Sequence, residues 1–506
     1  MAGVSLAELH NGFSLPSSEV PRCGWDELCT EICTHIGSGA RLAALAGRPV
    51  NDRLEVLVVL VRPEHGTLAL GRAEVGARFA SLTPACPAAH MFERELAEQW
   101  GVVPDGHPWL KPVRFHRSYR PGHDAWSRAV DDSILPCVTD FFRVDGEEVH
   151  EVAVGPVHAG VIEPGHFRFQ CHGEHVLHLE IALGYQHRGV ERALLAADPR
   201  RAIHLAETLA GDSTVAHTTA HCVALEALGA GQAPPRAEAI RAIALELERL
   251  ANHVGDLGAL AGDVGFLPTQ SFCGRLRGDL LNLTALVCGN RFGRNLVRPG
   301  GVAFDLEPER ASELGARLQE ILQDVRGALE LLFESSSVLV RFEGTGSVSS
   351  SLATELGLVG VAARASGLER DVRAELPVGM YRFAQVPVST WHTGDVFARA
   401  WVRWLEVQRS AVLVSDLLAA LPTGGLATRC PAPRGDRIAV AMVEGWRGEV
   451  CHLVQTDPGG RIATYKVVDP SFHNWMGLAM ALRNQQISDF PLCNKSFNLS
   501  YCGHDL

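Results

Sequence analysis

The spacing of hydrophobic positions predicts a small mixed α and β unit at the start of the chain. Residues 54–61 are almost continuously apolar and rich in β-branched side chains, which predicts a buried strand. Apolar residues recur at helical spacing over 91–100. The polar stretch 117–128 contains Pro121-Gly122 and predicts an exposed linker. We therefore place the first unit at residues 1–145.

From residue 146 the pattern predicts a second, mainly α-helical unit with small β-sheets. A helix is expected where Ile240, Ile243, Leu247, Leu250 and Val254 recur at three- and four-residue intervals. The expected elements are a hairpin over 163–169 and 176–181, helices over 237–262 and 394–420, strands over 437–443, 449–455 and 461–468, and a last helix over 475–483. The fold class is therefore α+β, and the second unit spans residues 146–506.

Composition excludes several classes of function. The net charge of −12 and the lack of any basic run argue against nucleic-acid binding. The 13 cysteines contain no Cys-x-x-Cys pair, so no iron–sulfur or zinc site is expected within this chain. No apolar run reaches the roughly 18 residues of a membrane span, and no secretory signal is visible.

Several segments, taken in order, carry a family pattern in the second unit. They are residues 155–166, 183–191, 206–217, 246–253 and 444–449. Together they resemble the large subunits of [NiFe]-hydrogenases and the D-type subunit of respiratory complex I. Several matched segments in one order are more specific than a single short motif.

The first unit resembles the C-type subunit of complex I. The resemblance lies in residues 80–89, 92–95, 100–102 and 106–108, including Ser81-Leu82-Thr83-Pro84. The fusion of a C-like unit to a D-like unit is similar to the large subunit of formate hydrogenlyase.

The nickel ligands of the hydrogenases are not kept. Their four cysteine positions correspond here to Ala210, Ser213, Ser500 and Gly503. A methyl group cannot bind a metal, and a serine hydroxyl is a poor ligand for nickel. No metal site and no hydrogenase activity at nickel are expected.

The resemblance to complex I implies a different use of the same region, namely quinone reduction. A hairpin histidine and a tyrosine of the D-type subunit bind the quinone head group, and two protons accompany the two electrons. His158 or His166 matches the hairpin donor, whereas the tyrosine position corresponds to Gly211. Asp212 is a candidate replacement proton donor, so His158, Gly211 and Asp212 are the candidate quinone-binding residues.

Three further residues are candidates by resemblance, each with a structural alternative. Glu163 matches the acid that relays protons in hydrogenases. Asp263 matches an aspartate that pairs with the hairpin histidine in complex I, or is a charge on a helix surface. Arg447 matches an arginine that overhangs nickel, or forms a structural ion pair. His217 and His221 stand four residues apart on a predicted helix, where packing is favoured over a metal site.

The resemblance implies a subunit of a complex related to energy-converting hydrogenases, at the cytoplasmic face of the inner membrane. The expected partners are a small subunit like the B-type subunit of complex I, which holds a [4Fe–4S] cluster, and antiporter-like and quinone-module membrane subunits. The chain would form one half of an electron-acceptor cavity, with quinone as the acceptor and redox energy coupled to ion translocation. The alternative is a structural coupling subunit without redox chemistry, and a soluble accessory of ion or carbon uptake belongs to the same class.

Overall fold

The computed structural model describes residues 5–158 and 162–506. The first of these segments begins with a sheet that is antiparallel except for one short parallel pair. The elements of the first unit are β1 (Ala7–Leu9), β2 (Ser14–Pro16), β3 (Arg22–Cys23), α1 (Trp25–Gly37), β4 (Arg41–Val50), β5 (Arg53–Arg62), β6 (Thr67–Val75), β7 (Arg78–Ala80), α2 (His90–Trp100) and β8 (Val103–Asp105). The strands β1, β6, β5 and β4 lie side by side in that order, and β3 pairs with β6. The predicted strand over 54–61 is β5, which is buried because β4 and β6 flank it and helices cover the sheet.

Residues 106–148 contain no helix or strand, as predicted for the linker within them. The next elements form a three-stranded sheet and most of the helices of the chain. They are β9 (Val149–Val154), β10 (His166–His172), β11 (His175–Ala182), α3 (Val190–Ala196), α4 (Pro199–Glu207), α5 (Thr214–Gly229), α6 (Pro235–Asp263), α7 (Leu267–Cys288), β12 (Val297–Arg298), β13 (Gly301–Val302), α8 (Pro308–Glu334), α9 (Ser336–Phe342), α10 (Ser350–Glu355), α11 (Gly360–Ala365), α12 (Val372–Glu375) and α13 (Val396–Ala419). The predicted hairpin is β10 and β11, which turn at Gly173.

The chain then returns to strands, as the pattern predicted. The last elements are β14 (Arg437–Gly445), β15 (Gly448–Thr456), β16 (Ile462–Val468), α14 (Pro470–Ala481), α15 (Phe490–Phe497) and α16 (Tyr501–Asp505). The strands β14, β15 and β16 form an antiparallel meander. Helix α5 packs against β14 and β15 and is buried on nearly all sides, which explains why its sequence lacks a polar face.

The 29-residue helix α6 lies at the centre of the largest hydrophobic cluster. It packs against α7 on one side and α13 on another, so its buried residues surround most of its circumference. A helix of this length is stabilised mainly by such tertiary packing. The predicted helices over 237–262 and 394–420 are α6 and α13, so the α+β class is confirmed.

The first unit also contributes to the sheet near the C-terminus. Strand β2 pairs with β14, and the buried Asn11 donates to the carbonyls of Leu376 and Met442 and accepts from the Met442 N–H. One hydrophobic cluster includes residues of both regions. The boundary between residues 145 and 146 stays a prediction. Among the described residues, no helix is long and apolar enough to cross a bilayer.

Candidate functional site

The four positions that correspond to nickel ligands lie at the starts of two helices. Ala210 and Ser213 precede α5, where Ser213 is the N-cap residue. Ser500 is the N-cap residue of α16, and its hydroxyl accepts the N–H of Gly503 at 2.9 Å. All four residues are buried. The structure therefore has all four positions in the interior of the chain.

Gly503 borders an aspartate that joins the two helices. A Cβ atom on Gly503 would lie 2.7 Å from Oδ2 of Asp469, closer than such atoms approach in folded proteins. Asp469 Oδ2 also accepts a hydrogen bond from Nε2 of His217 on α5, at 3.1 Å. A cysteine at 503 would thus collide with Asp469. Together with Ala210, this donor set does not fit nickel.

Arg447 lies in the turn between β14 and β15 and joins the surrounding segments. Its guanidinium binds both carboxylate oxygens of Asp212, at 2.6 and 2.8 Å. Its Nε donates to the carbonyl of Asn498, and its Nη1 lies 3.4 Å from the Ser213 hydroxyl. The guanidinium stacks on Trp446, 3.9 Å from the ring centre. Although burial opposes the charge, Asp212 holds the pKa of Arg447 above its usual range. This fork-like contact fixes the loop before α5 against the loop before α16.

Gly211 and Asp212 lie where this network reaches the surface. About a third of the Asp212 side chain is exposed (34%), whereas Arg447 behind it is buried. The Asp212 carbonyl accepts from Asn252 and from the Trp446 indole, each at 2.9 Å, so the backbone here is fixed. Gly211 is exposed, and a Cβ atom on it would meet nothing within 4 Å. The space beside Gly211 is open and is not filled by apolar side chains.

Glu163 lies beside the second pair of positions. Its carboxylate accepts the N–H of Cys502 at 3.3 Å, and Cys502 Sγ lies 3.4 Å from the Ser500 hydroxyl. Burial, with Glu163 nearby, raises the pKa of the Cys502 thiol to about 11. The structure therefore brings Glu163 to the first turn of α16.

The two histidines matched to the hairpin donor of complex I, His158 after β9 and His166 at the start of β10, have separate surroundings. His158 is half-buried against Gly155 and Phe167, and its Nε2 has no hydrogen-bond partner in the described chain. His166 forms a hydrogen bond through Nδ1 to the carbonyl of Gly155, at 3.2 Å. Residues 159–161 of the motif lie outside the described residues.

Asp263 ends α6 at an exposed position. Neighbouring protein atoms reduce the contact of its carboxyl with water and so raise its pKa to about 6, whereas the positive charge of Lys495 opposes the shift. Within residues 5–158 and 162–506, no hydrogen bond or ion pair joins Asp263 to His158 or His166. The pairing implied by complex I is therefore not present in this structure.

Glu248 on α6 is a buried acid that the sequence interpretation assigned no role. Its carboxyl accepts the N–H groups of Val215 and Ala216 at the start of α5, at 2.7 and 3.2 Å. Burial raises its pKa to about 8 despite these hydrogen bonds, and Asp212 adds to the shift. Its segment was singled out as a motif, but only the packing of α6 under α5 reveals this contact. Likewise, Asp469, His452 and Tyr465 were missed because only the tertiary structure joins them to His217.

No group of three or more metal-binding side chains occurs in the described part of the chain. The arrangement instead offers a fixed ion pair beside open surface, with buried titratable groups behind it. Such an arrangement can position a polar ligand and exchange protons with it.

Comparisons with known proteins show the family to which the chain is related. Residues 263–432 match the family model of the respiratory-chain NADH dehydrogenase 49 kDa subunit, and residues 19–126 match that of the 30 kDa subunit. A carbon monoxide-induced hydrogenase of Rhodospirillum rubrum is 31% identical over 352 residues, which cover 69% of this chain and 97% of that protein. Subunit 4 of the NADH-quinone oxidoreductase of Thermus thermophilus is 31% identical over 68% of this chain and 90% of its own length.

The match to formate hydrogenlyase subunit 5 of Escherichia coli extends across both units. It is 28% identical over 92% of this chain and 84% of that protein. The fused arrangement and the resemblance to both parents are thereby confirmed. The chain belongs to the family of hydrogenase large subunits and the 49 kDa (D-type) component of complex I, fused to a unit of the 30 kDa (C-type) component.

Proposed function

We propose that this chain is the catalytic-module subunit of a membrane-associated oxidoreductase complex and forms one half of its electron-acceptor site. Quinone is the proposed acceptor. The observation that carries this proposal is the open space beside Gly211, next to an aspartate fixed by a buried arginine. Because Gly211 is exposed and no described residue lies within 4 Å of a Cβ atom built on it, a head group held against this face by a partner subunit would meet no side chain at the tyrosine position.

The site needs a partner because it opens at the surface of the chain. Gly211 is exposed, and the described residues hold no cluster of metal-binding side chains. Electrons must therefore arrive from another subunit, for which we propose a small subunit with a [4Fe–4S] cluster like the B-type subunit of complex I. Antiporter-like and quinone-module membrane subunits are the further proposed partners, at the cytoplasmic face of the inner membrane. They would convert the redox energy into ion translocation.

Reduction of a quinone to a quinol takes up two electrons and two protons. His158 has an unpartnered Nε2 and is the proposed hydrogen-bond donor from the hairpin. Glu163 is the proposed proton relay, since it precedes β10 in the chain and its carboxylate contacts the Cys502 N–H of α16. Asp212 would first have to leave Arg447 before it could carry a proton, so we assign this pair to positioning of the head group.

A non-redox coupling subunit is the second candidate. It is favoured by the absence of both parental donor sets, because Gly503 is packed against Asp469 and Gly211 replaces the tyrosine. In that case the ion-pair network would only transmit conformational change to the membrane subunits.

The test is electron transfer from the partner's cluster to quinone in the purified complex. The cluster is reduced with dithionite, excess reductant is removed, and its oxidation after addition of quinone is followed by electron paramagnetic resonance. We expect oxidation in the wild type and a slower reaction in His158→Ala. The matched control is His172→Ala, which removes an exposed histidine on β10 that pairs with Glu148.

A cluster that stays reduced in the presence of quinone would favour the coupling role. Equal rates in wild type and His158→Ala would remove the hairpin histidine from the proposal.

A further inference from the structure

Five buried side chains beneath the candidate site form one unbroken chain of hydrogen bonds. Asp469 Oδ2 contacts Nε2 of His217 at 3.1 Å, and Nδ1 of His217 contacts Nε2 of His452 at 3.1 Å. Nδ1 of His452 contacts the Tyr465 hydroxyl at 2.9 Å, and the same hydroxyl contacts Nδ1 of His221 at 2.7 Å. The remaining nitrogen, Nε2 of His221, has no partner in the described chain.

The fold explains why these side chains meet. His217 and His221 are one turn apart on α5, the helix that covers the sheet of β14, β15 and β16. His452 on β15 and Tyr465 on β16 share the sheet face that α5 covers, because His452 pairs with Val467 and Tyr465 with Val454. Asp469 caps α14 directly after β16. Each of the five side chains is at most 4% exposed.

The number of protons on these side chains fixes the direction, from donor to acceptor, in which their hydrogen bonds run. Tyr465 has one hydroxyl proton, so it donates to one of its two histidines and accepts from the other. If His217 is neutral and its Nε2 donates to Asp469, its Nδ1 must accept a hydrogen bond from Nε2 of His452. Nδ1 of His452 then accepts from the Tyr465 hydroxyl, and the hydroxyl oxygen accepts from Nδ1 of His221. If His217 carries two protons, it still donates to Asp469, and each of the other hydrogen bonds runs in the opposite direction. The two arrangements differ by one proton.

We propose that these residues transfer a proton from His221 to Asp469 by consecutive exchange along the chain. Nε2 of His221 is buried and unpartnered among the described residues, so the proton that it takes up must come from water that enters beside it. The Nδ1 proton of His221 then passes to Tyr465. The Tyr465 proton then passes to Nδ1 of His452, and the Nε2 proton of His452 passes to Nδ1 of His217. Each interior member gains one proton and loses one, so the net result is a doubly protonated His217 beside the Asp469 carboxylate.

The electrostatics of the buried groups suit this exchange. Burial lowers the pKa of His221 to about 4, and the pKa of His452 lies well below its usual range. Burial likewise raises the pKa of Tyr465 well above its usual range. These members therefore stay neutral and pass a proton on only as they accept another. Burial opposes ionisation of Asp469, but His217 holds its pKa below the usual range.

The other titratable groups that face these five hydrogen-bonded side chains come from three elements. Arg447 from the β14–β15 turn and His473 of α14 act on Asp469, and Cys222 of α5 faces Tyr465. Burial lowers the pKa of His473 to about 4 and raises that of Cys222 above its usual range, so both stay neutral. Arg447 is the one permanent charge among these three groups.

The destination of the proton is the floor of the candidate site. Asp469 Oδ2 borders Gly503, and Arg447, which also binds Asp212, lies close enough to Asp469 to lower its pKa. From His217 the proton passes to Asp469 and then to an acceptor in the site. Only this last step rests on the proposed function, since the hydrogen-bonded chain is independent of the acceptor.

The test reads the protonated nitrogen of each histidine, not turnover. The full chain is labelled with ¹⁵N-histidine, signals are assigned by single substitutions, and nitrogen spectra are recorded from about pH 9 to about pH 5. As pH falls, we expect the proton of His452 to move from Nε2 to Nδ1 and that of His221 from Nδ1 to Nε2. Both changes should share one midpoint with the second protonation of His217.

Tyr465→Phe removes the shared hydroxyl and should separate these midpoints. The control is Tyr381→Phe, which removes a buried hydroxyl that donates to Glu246. This hydroxyl is not part of the hydrogen-bonded series, so the common midpoint should stay intact. Fixed tautomers in the wild type would overturn the proposal, and so would a common midpoint that survives in Tyr465→Phe. If Tyr465→Phe does not fold, the wild-type tautomers alone decide. If the histidine tautomers change together but quinone does not oxidise the partner's cluster, the proposed function is contradicted and the proton-transfer proposal is not.

Discussion

At the scale of single residues, Arg447 organises the candidate site. It is buried, yet it contacts Asp212, Ser213 and Asn498 from two separate loops. A bidentate contact of this kind requires the planar guanidinium, which an ammonium group cannot reproduce. The site geometry therefore depends on an arginine that the family resemblance had already singled out.

We expect Arg447→Lys to lower the free energy of unfolding by about 2–4 kcal/mol, because Asp212 loses one bond and the Asn498 carbonyl loses its donor. The measurement is urea unfolding of the isolated chain. The control is Arg275→Lys, at an exposed arginine that pairs with Asp279 and Asp324 on the surface. There we expect a loss of less than about 0.5 kcal/mol. Equal losses in the two variants would contradict the central position of Arg447.

Glu248 should make stability depend on pH. Its pKa is about 8 in the folded chain and near its ordinary value of 4.5 when unfolded, so between these values only the folded state keeps the proton. Stability therefore falls as pH rises through this range. We expect the wild type to lose about 1–4 kcal/mol more than Glu248→Gln between pH 5 and pH 8, measured by urea unfolding at each pH. The exposed Glu330→Gln on α8 is the control, and parallel curves for wild type and Glu248→Gln would refute the assignment.

The candidate residues show what sequence can and cannot supply. Resemblance located Asp212, Arg447 and Glu163, because each stands in a motif of fixed spacing. It did not reveal Asp469 or Tyr465, since each is distant in sequence from its partners on α5. The expected pairing of Asp263 with a histidine stays a prediction, and Asp263 lies at an exposed position at the end of α6.

At the scale of elements, the short strand β2 couples the beginning of the chain to its C-terminal sheet. It covers the open edge of β14, and Asn11 just before it satisfies three buried backbone groups. Hydrophobic periodicity predicted β5, α6 and α13 because each is long and regular. It could not predict β2, whose three residues acquire their conformation from the strand they join.

We expect Asn11→Ala to lower the free energy of unfolding by about 2–3 kcal/mol, because three buried backbone groups lose their partner. Chemical denaturation of the isolated chain measures this loss. The control is Asn282→Ala, at an exposed asparagine of α7, which should change stability by less than about 0.5 kcal/mol. A loss at Asn11 no larger than at Asn282 would show that β2 contributes little.

At the scale of the whole molecule, buried ion pairs also join the two predicted units. Lys466 of β16 contacts Glu95 of α2 and Glu191 of α3, at 2.6 and 2.9 Å. Arg114 pairs with Glu95 as well and donates to the carbonyl of His504. Removing one partner leaves a buried charge uncompensated, which is costly. We therefore expect the two predicted units to depend on each other for stability.

We expect residues 146–506 produced alone to be insoluble or to unfold at a much lower denaturant concentration than the full chain. Co-expression with residues 1–145 as a separate chain should restore a soluble complex, because β2 and Glu95 return. Co-purification and the denaturation midpoint measure both effects. A 146–506 fragment as stable as the full chain would show that the interface is dispensable.

The central claim is that an electron acceptor occupies the open space beside Gly211. Gly211→Phe tests it directly, because the backbone there tolerates a side chain and the ring would fill that space. Gly274→Phe on α7 is the matched control, since it is also exposed with nothing within 4 Å. The measurement is the rate at which quinone oxidises the partner's reduced cluster in complexes that retain all subunits. We expect at least a tenfold decrease in Gly211→Phe and no change in Gly274→Phe, whereas equal rates in both variants would contradict the account.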